Sequence, residues 1–369
     1  MSYTRKKSLF RRIVEVRSVK GCAFNFMMHN MAGQKLLLYN SKIPRVINIS
    51  FNERTCMFKC RICPYSKNSV RDLYKEKSEM SFETLVNIVK SLPNDPYYSF
   101  DISSIGETLE YKPLSDSIAY MKKMKPLANT IISTNGVLLT EETSRRLIES
   151  GLNSMQISVF AGNDEDHQFI TGSKTYRKVR ENAIRFNEIK KELKARTPFT
   201  QAFMIETEET KGKSKEFVAE WSKYVDHAFV RPMYNLGEDI EGMTPTFQEC
   251  DSTDRYPCVM PWYSTAIRSN GDVLACYAFH WNEEAKNSMV IGNINEEPLE
   301  KIWETAKHRK LRDSHLTGCL KDYPICQECN LWSAYTNIWS QKGDGSGCYC
   351  YGGISLKDYF TKLTGHRGG

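Results

Sequence analysis

The spacing of its twelve cysteines constrains this 369-residue chain more than any other feature. Three of them form Cys56-x3-Cys60-x2-Cys63, directly behind the β-rich run at 45–51 (RVINISF). Apart from an isolated Cys22, the rest fall in the last third, from Cys250 onward. The start, MSYTRKKSLFRRIVEV, is basic but has no continuous apolar segment and no small-residue cleavage site, so it does not read as a secretory signal. A cytoplasmic, reducing setting is therefore expected. There, cysteines are more often metal ligands or catalytic groups than disulfides. Two cysteine groups separated by a cysteine-free middle predict two metal sites on different parts of the fold.

The first group has a specific chemistry. Three thiolates on one short loop can hold three irons of a [4Fe–4S] cube, leaving the fourth iron open to an incoming molecule. The same distinction separates catalytic from structural zinc sites. A structural zinc loop is the alternative, but such loops use paired CxxC knuckles and a fourth ligand close by, which this segment lacks.

The chain around the loop alternates strand and helix. Strands are expected at 45–51, 98–105, 129–135, 154–160, 199–206 and 227–233, and helices at 81–92, 112–124, 140–150, 174–196 and 213–225. Thr140 makes a natural N-cap, and Gly151 a natural stop behind that helix. Six strands alternating with five helices argue for parallel βαβ units, whose sites collect where strands end. Beyond about residue 245 the pattern changes. Residues 264–269 and 272–276 flank Asn270-Gly271 and read as a hairpin with a type I′ turn. The expected division is an N-terminal extension (1–43), a βα-repeat domain (44–245) and a cysteine-rich domain (246–369).

CxxxCxxC on the loop after the first strand of a βα-repeat resembles the signature of the radical S-adenosylmethionine superfamily. The resemblance runs from residue 45 to about 235 and implies a partial (β/α)6 TIM-like barrel. Cys56, Cys60 and Cys63 would hold the cluster that binds S-adenosylmethionine. Gly106-Glu107 after the second strand is similar to the family's Gly-Gly-Glu motif, whose acid contacts the methionine amino group; Ile105 replaces the usual first Gly. Ser133-Thr134-Asn135-Gly136 is similar to the ribose-contacting stretch, and Ser158 stands where many relatives touch the cofactor. Ile62 departs from the aromatic residue usual before the third cysteine, which bears on adenine packing but not on the cluster.

In the last third, Cys258-x12-Gly271-x4-Cys276 followed by Cys326-x2-Cys329 resembles the auxiliary-cluster extension called SPASM or, when shorter, twitch. The resemblance implies one auxiliary [4Fe–4S] cluster on Cys258, Cys276, Cys326 and Cys329; zinc is the alternative at such a four-thiolate site. The full SPASM pattern would place a cysteine at 335, which is Tyr335. Cys319, Cys348 and Cys350 are left over and, with Cys250, could hold a second auxiliary cluster. Cys250 could instead donate a hydrogen atom to a substrate radical, as in some epimerases of the superfamily.

Composition excludes other classes. With 40% hydrophobic and 26% charged residues the chain is ordinary for a globular protein, and no run of eighteen apolar residues suggests a membrane span. The net charge of +7 is spread among interleaved acids, so nucleic-acid binding is not expected. The resemblance implies a flavodoxin- or ferredoxin-type electron donor and oxidoreductase or epimerase chemistry on a small hydroxylated substrate, a sugar or aminocyclitol. Modification of a ribosomally made peptide is the alternative, disfavoured by an N-terminal extension too short for a separate peptide-recognition domain.

Overall fold

The computed structural model describes residues 43–63, 79–94, 98–103, 105–233, 257–277, 289–332, 339–341 and 348–350. Its first half is a run of βα units: β1 (Val46–Ile49), α1 (Phe82–Lys90), β2 (Ser99–Ile102), α2 (Leu114–Met124), β3 (Asn129–Thr134), α3 (Glu141–Glu149) and β4 (Ser154–Ser158). Then come α4 (Asp164–Thr171), α5 (Tyr176–Glu192), β5 (Phe199–Glu206), α6 (Ser214–Trp221) and β6 (His227–Pro232). All six expected strands and five expected helices are present. The caps act as read: the Thr140 side chain accepts from Thr143 N–H, and Gly151 turns left-handed at φ +82°.

Helix α4 was not anticipated. It has only eight residues, too few to be stable alone. Its ends are nevertheless well marked: the Asn163 side chain accepts from Asp166 N–H, and Gly172 closes it at φ +70°.

The six strands lie side by side in the order β6-β5-β4-β3-β2-β1, all parallel. This is the mixed α/β, partial-barrel arrangement expected of the βα repeat. Alternation along each strand sorts the residues between two faces. Ile47, Ile49, Phe100, Ile102, Ile132, Met155, Ile157, Ala202 and Met204 are fully buried. Each such side chain stabilises the fold by about 1.5–3 kcal/mol if aliphatic and large. On the other face, the inward-facing positions are largely polar.

The second half continues the sheet. After α7 (Met260–Tyr263), strand β7 (Ser264–Ile267) pairs parallel with β1, with Val46 opposite Ser264 and Ile49 opposite Ile267. β8 (Asp272–Leu274) and β9 (Val290–Asn293) follow antiparallel, making nine strands in all. Helices α8 (Leu299–Trp303), α9 (Ala306–Thr317) and α10 (Pro324–Glu328) cover this end, and a short antiparallel pair, β10 (Trp339–Gln341) and β11 (Cys348–Cys350), closes the described chain.

The hairpin is where expected, but its turn is not type I′. Arg268 N–H donates to Asp272 O (2.9 Å) and Gly271 N–H to Arg268 O (2.9 Å), which closes a three-residue loop, Ser269-Asn270-Gly271. Only Gly271 is left-handed, at φ +90°. A type I′ turn needs two left-handed residues, whereas a type I turn with a bulge needs one, at the glycine. No helix among the described residues is long and apolar enough to cross a membrane.

Candidate functional site

The cysteine loop leaves β1 through Asn52, which is fully buried. Its Oδ1 accepts from Arg54 N–H (2.9 Å) and Thr55 N–H (3.3 Å), and its Nδ2 donates to Thr55 O (3.0 Å) and Glu107 O (2.9 Å). One side chain thus folds the entry to the loop and ties it to the exit of β2. The backbone reinforces this, with Gly106 N–H donating to Asn52 O (2.9 Å) and Glu107 N–H to Thr55 O (2.8 Å). Position 106 must be glycine for a steric reason: a Cβ there would stand 2.2 Å from Thr55 O.

The far side of the loop is seated on α4. Lys59 N–H donates to Thr171 O (3.1 Å) and Arg61 N–H to Ile170 O (2.7 Å), using carbonyls that a helix C-terminus leaves unpaired. Phe58, almost fully buried, packs edge-on against His167, with ring centroids 5.8 Å apart. Cys56, Cys60 and Cys63 are therefore carried by a loop clamped from two directions.

Burial pushes the Cys56 thiol up to about 12, with the neighbouring Glu107 and Cys63 charges adding to the effect; Cys60 is likewise raised, mainly by burial. The three thiols lie within electrostatic reach of one another. With pKa values raised this way, Cys56 and Cys60 stay protonated at neutral pH, so binding iron must release protons. Among the described residues no three Cys, His, Asp or Glu side chains converge on one ion. A cube does not require that, because each thiolate holds its own iron at a separate corner.

Glu107, only 3% exposed, spends its carboxylate on this chain. Oε1 accepts from Thr134 Oγ1 (2.5 Å) and Leu109 N–H (3.0 Å), and Oε2 from Asn135 N–H (2.9 Å). Burial raises its pKa against those three donors. The side chain read from sequence as a contact to the cofactor's amino group also ties the exit of β2 to that of β3. Asn135 is 5% exposed; its Oδ1 accepts from Val137 N–H (3.0 Å), and its Nδ2 has no partner among the described residues. A buried donor left unpaired is costly. An acceptor on a bound nucleoside would satisfy it, so this residue fits the ribose-contacting part its stretch resembles. Ser133 Oγ pairs with Ser103 Oγ (3.3 Å), and Ser158 ends β4 half-buried, two residues before Phe160, which is left-handed at φ +64°. Gly106, Glu107, Ser133, Asn135, Ser158 and the three cysteines therefore all stand at the same ends of four adjacent strands, β1 to β4.

The other cysteines gather in the second half. Cys258 precedes α7, Cys276 follows β8, Cys326 lies in α10 and Cys329 caps it. All four are packed in or against the core, and Cys258 N–H faces His315 Nδ1 at 3.5 Å. Four thiols suit an iron–sulfur cluster as a donor set. Cys319 is exposed. Cys22 and Cys250 lie outside the described residues, as do the side chains of Cys348 and Cys350.

Comparison with known proteins decides the family. Residues 54–200 match the family model of the Radical SAM superfamily, and residues 258–330 that of SPASM, an iron-sulfur cluster-binding domain. The chain is a radical S-adenosylmethionine enzyme with a SPASM domain. Both matched segments contain the cysteine sets described above, and S-adenosylmethionine and iron–sulfur clusters are the cofactors of such a protein. A curated relative of this radical SAM enzyme, the S-adenosyl-L-methionine-dependent 2-deoxy-scyllo-inosamine dehydrogenase of Niallia circulans, is 25% identical over 298 residues, 80% of this chain and 96% of the relative. Among solved structures, native anSMEcpe with bound AdoMet shares the fold at 16% identity and TM-score 0.59, over 87% of this chain and 98% of that one. Streptococcus suis SuiB bound to precursor peptide SuiA does so at 18% identity and TM-score 0.57, over 82% and 73%.

Sequence reasoning missed Asn52, the bond from Thr134 to Glu107 and α4, the parts that hold the motif residues in place. The caps of α4 were the only legible signal. Nothing local marks Asn52 as the residue that joins two loops 55 positions apart.

Proposed function

We propose that this radical SAM enzyme dehydrogenates or epimerises a hydroxylated small molecule of the sugar or aminocyclitol type. The observation that carries this reading is the similarity to the 2-deoxy-scyllo-inosamine dehydrogenase, which spans nearly the whole of that relative. When bound, S-adenosylmethionine and the clusters supply a 5′-deoxyadenosyl radical that takes a hydrogen atom from a C–H bond, and an acceptor for the remaining electron. The protein's own residues do the positioning. Cys56, Cys60 and Cys63 hold the first cluster on the clamped loop. Asn135 offers its orphaned amide to the ribose, Ser133 and Ser158 line the same rim, and Gly106-Glu107 fixes its shape. Cys258, Cys276, Cys326 and Cys329 hold one auxiliary cluster in a domain that begins near residue 246. The electron donor is a flavodoxin or ferredoxin, and the enzyme works in the cytoplasm.

The second reading is modification of a ribosomally made peptide, since SuiB, bound to a precursor peptide, has the same fold. One experiment separates these possibilities. Protein purified and reconstituted without oxygen is assayed for iron, for 5′-deoxyadenosine and for a ketone product two mass units below 2-deoxy-scyllo-inosamine. Two cubes predict about eight irons per chain, falling to about four when Cys56, Cys60 and Cys63 are all replaced by Ala. About twelve irons would revive a second auxiliary cluster, with Cys250, Cys319, Cys348 and Cys350, and favour the peptide reading. Zinc in place of iron, or full clusters without cofactor cleavage, would sink the proposal.

A further inference from the structure

The barrel interior carries polar side chains that extend beyond the cluster site. Inward-facing positions of (β/α) barrels are commonly filled by branched apolar side chains. Here adjacent strands present Asn48, Asp101, Ser133, Gln156 and Gln201 to the interior, in register: Asn48 opposite Asp101, and Ser133 opposite Gln156, which is opposite Gln201. These groups form two hydrogen-bonded sets, one around Asp101 and one around Gln156. Ser103 Oγ donates to Asp101 Oδ1 (2.7 Å) and lies 3.3 Å from Ser133 Oγ, within hydrogen-bonding distance. Gln156 Nε2 donates to Gln201 Oε1 (3.1 Å). Arg231 reaches from β6 over the rings of Phe203 and Phe229 (4.7 and 5.0 Å to the centroids) to donate to Gln156 Oε1 (3.2 Å).

Within this lining Asp101 is the one acid on the inward-facing positions of β1 to β6. It sits on a central strand, on the inward face, with a small part of the residue exposed and its carboxylate largely desolvated. Its neighbours there are the hydroxyl of Ser103, the amide of Asn48 and, at longer range, the Arg231 guanidinium. Arg231 is already stacked on two rings and bonded to Gln156. Burial raises the Asp101 pKa against these partners, and among the described residues its carboxylate makes no ion pair. A ligand that brings a positive charge beside it would restore that balance, and the amides and hydroxyls around it suit neutral hydroxyl groups.

We propose that Asp101 binds the ammonium group of a hydroxylated amine substrate, with Ser103, Gln156, Gln201 and Arg231 taking its hydroxyls. This deepens the small-molecule reading above and rests on it. A charge-assisted hydrogen bond in such a place is worth about tenfold to a hundredfold in affinity.

The test is equilibrium binding to the reconstituted, S-adenosylmethionine-loaded protein by calorimetry. Three probes are compared: 2-deoxy-scyllo-inosamine, its N-acetyl derivative and scyllo-inositol. The wild type is expected to bind the free amine at least tenfold tighter than either neutral ring. Asp101→Asn should abolish that preference while keeping the affinity for scyllo-inositol, a result that misfolding would not produce. The N-acetyl probe makes the same comparison on wild type alone, should the variant fail to fold. Equal affinity for all three probes, or a preference that survives Asp101→Asn, overturns the assignment to Asp101 while leaving a small-molecule substrate standing. No binding of any ring overturns it too, and if the ketone assay is also blank, the small-molecule reading falls with it.

Discussion

Replacing Gly106 with Ala should dislodge the cluster loop without touching a cysteine. The added Cβ would sit 2.2 Å from Thr55 O, 2.9 Å from Asn52 Nδ2 and 3.0 Å from the Thr55 carbonyl carbon. A carbon and an oxygen in ordinary contact stand about 3.3 Å apart, so Thr55 must retreat by roughly 1 Å. That carbonyl is backbone, so no flexible side-chain end can yield instead. The retreat stretches Glu107 N–H to Thr55 O and Asn52 Nδ2 to Thr55 O, now 2.8 and 3.0 Å. Two strained hydrogen bonds at about 1 kcal/mol each, with an overpacking cost of about 1–3 kcal/mol, give a loss of about 3–5 kcal/mol. Cys56 follows Thr55 directly and must move with it, so iron at the first site should fall along with stability. The assay is urea denaturation of the metal-free protein together with iron counting after reconstitution. Gly162→Ala is the control, since a Cβ there meets Phe217 at an ordinary 3.7 Å. The reasoning is refuted if Gly106→Ala unfolds within about 0.5 kcal/mol of wild type and retains its full iron.

Other residues give sharper or smaller effects. Asn135→Ala loses the bond to Val137 N–H but also removes the orphaned Nδ2, so metal-free stability should change by under about 1 kcal/mol. Its S-adenosylmethionine affinity, read by equilibrium dialysis, should drop about tenfold; unchanged affinity would remove Asn135 from the cofactor site. Burial, helped by the Arg312 charge, lowers the His308 pKa from 6.5 to about 3. The folded form then binds fewer protons than the unfolded one, so its contribution is present above pH 6.5 and is lost as pH falls toward 3. By pH 4 this amounts to about 3 kcal/mol. His308→Phe should flatten acid denaturation between pH 6.5 and 4, although His167, also lowered by burial, leaves a residual slope. A Cβ at Gly271 would lie 2.4 Å from Asn295 Nδ2 at φ +90°, so Gly271→Ala should cost about 2 kcal/mol or more in the same denaturation assay. A neutral result there would contradict the bulged turn.

The sequence by itself determined the six strands, five of the helices and both cysteine sets. These are local signals: alternation with period 2 or 3.6, a capping threonine, a fixed spacing of thiols. The same rules exposed the hairpin, but not which strand it would join, because pairing with β1 is chosen by burial across more than two hundred residues. Tertiary structure alone decided how the cluster loop is held. Asn52 acts only because β2 delivers Glu107 beside it, and α4 is helical because its carbonyl end docks on Lys59 and Arg61. It also decided what Asp101 is. In the sequence Asp101 is a polar residue in an alternating strand, equally suited to facing solvent. Only the parallel stacking of β1 to β6 turns that face inward, where its carboxylate lies with Ser103, Asn48 and, at longer range, Arg231, the setting proposed above for a ligand's ammonium group.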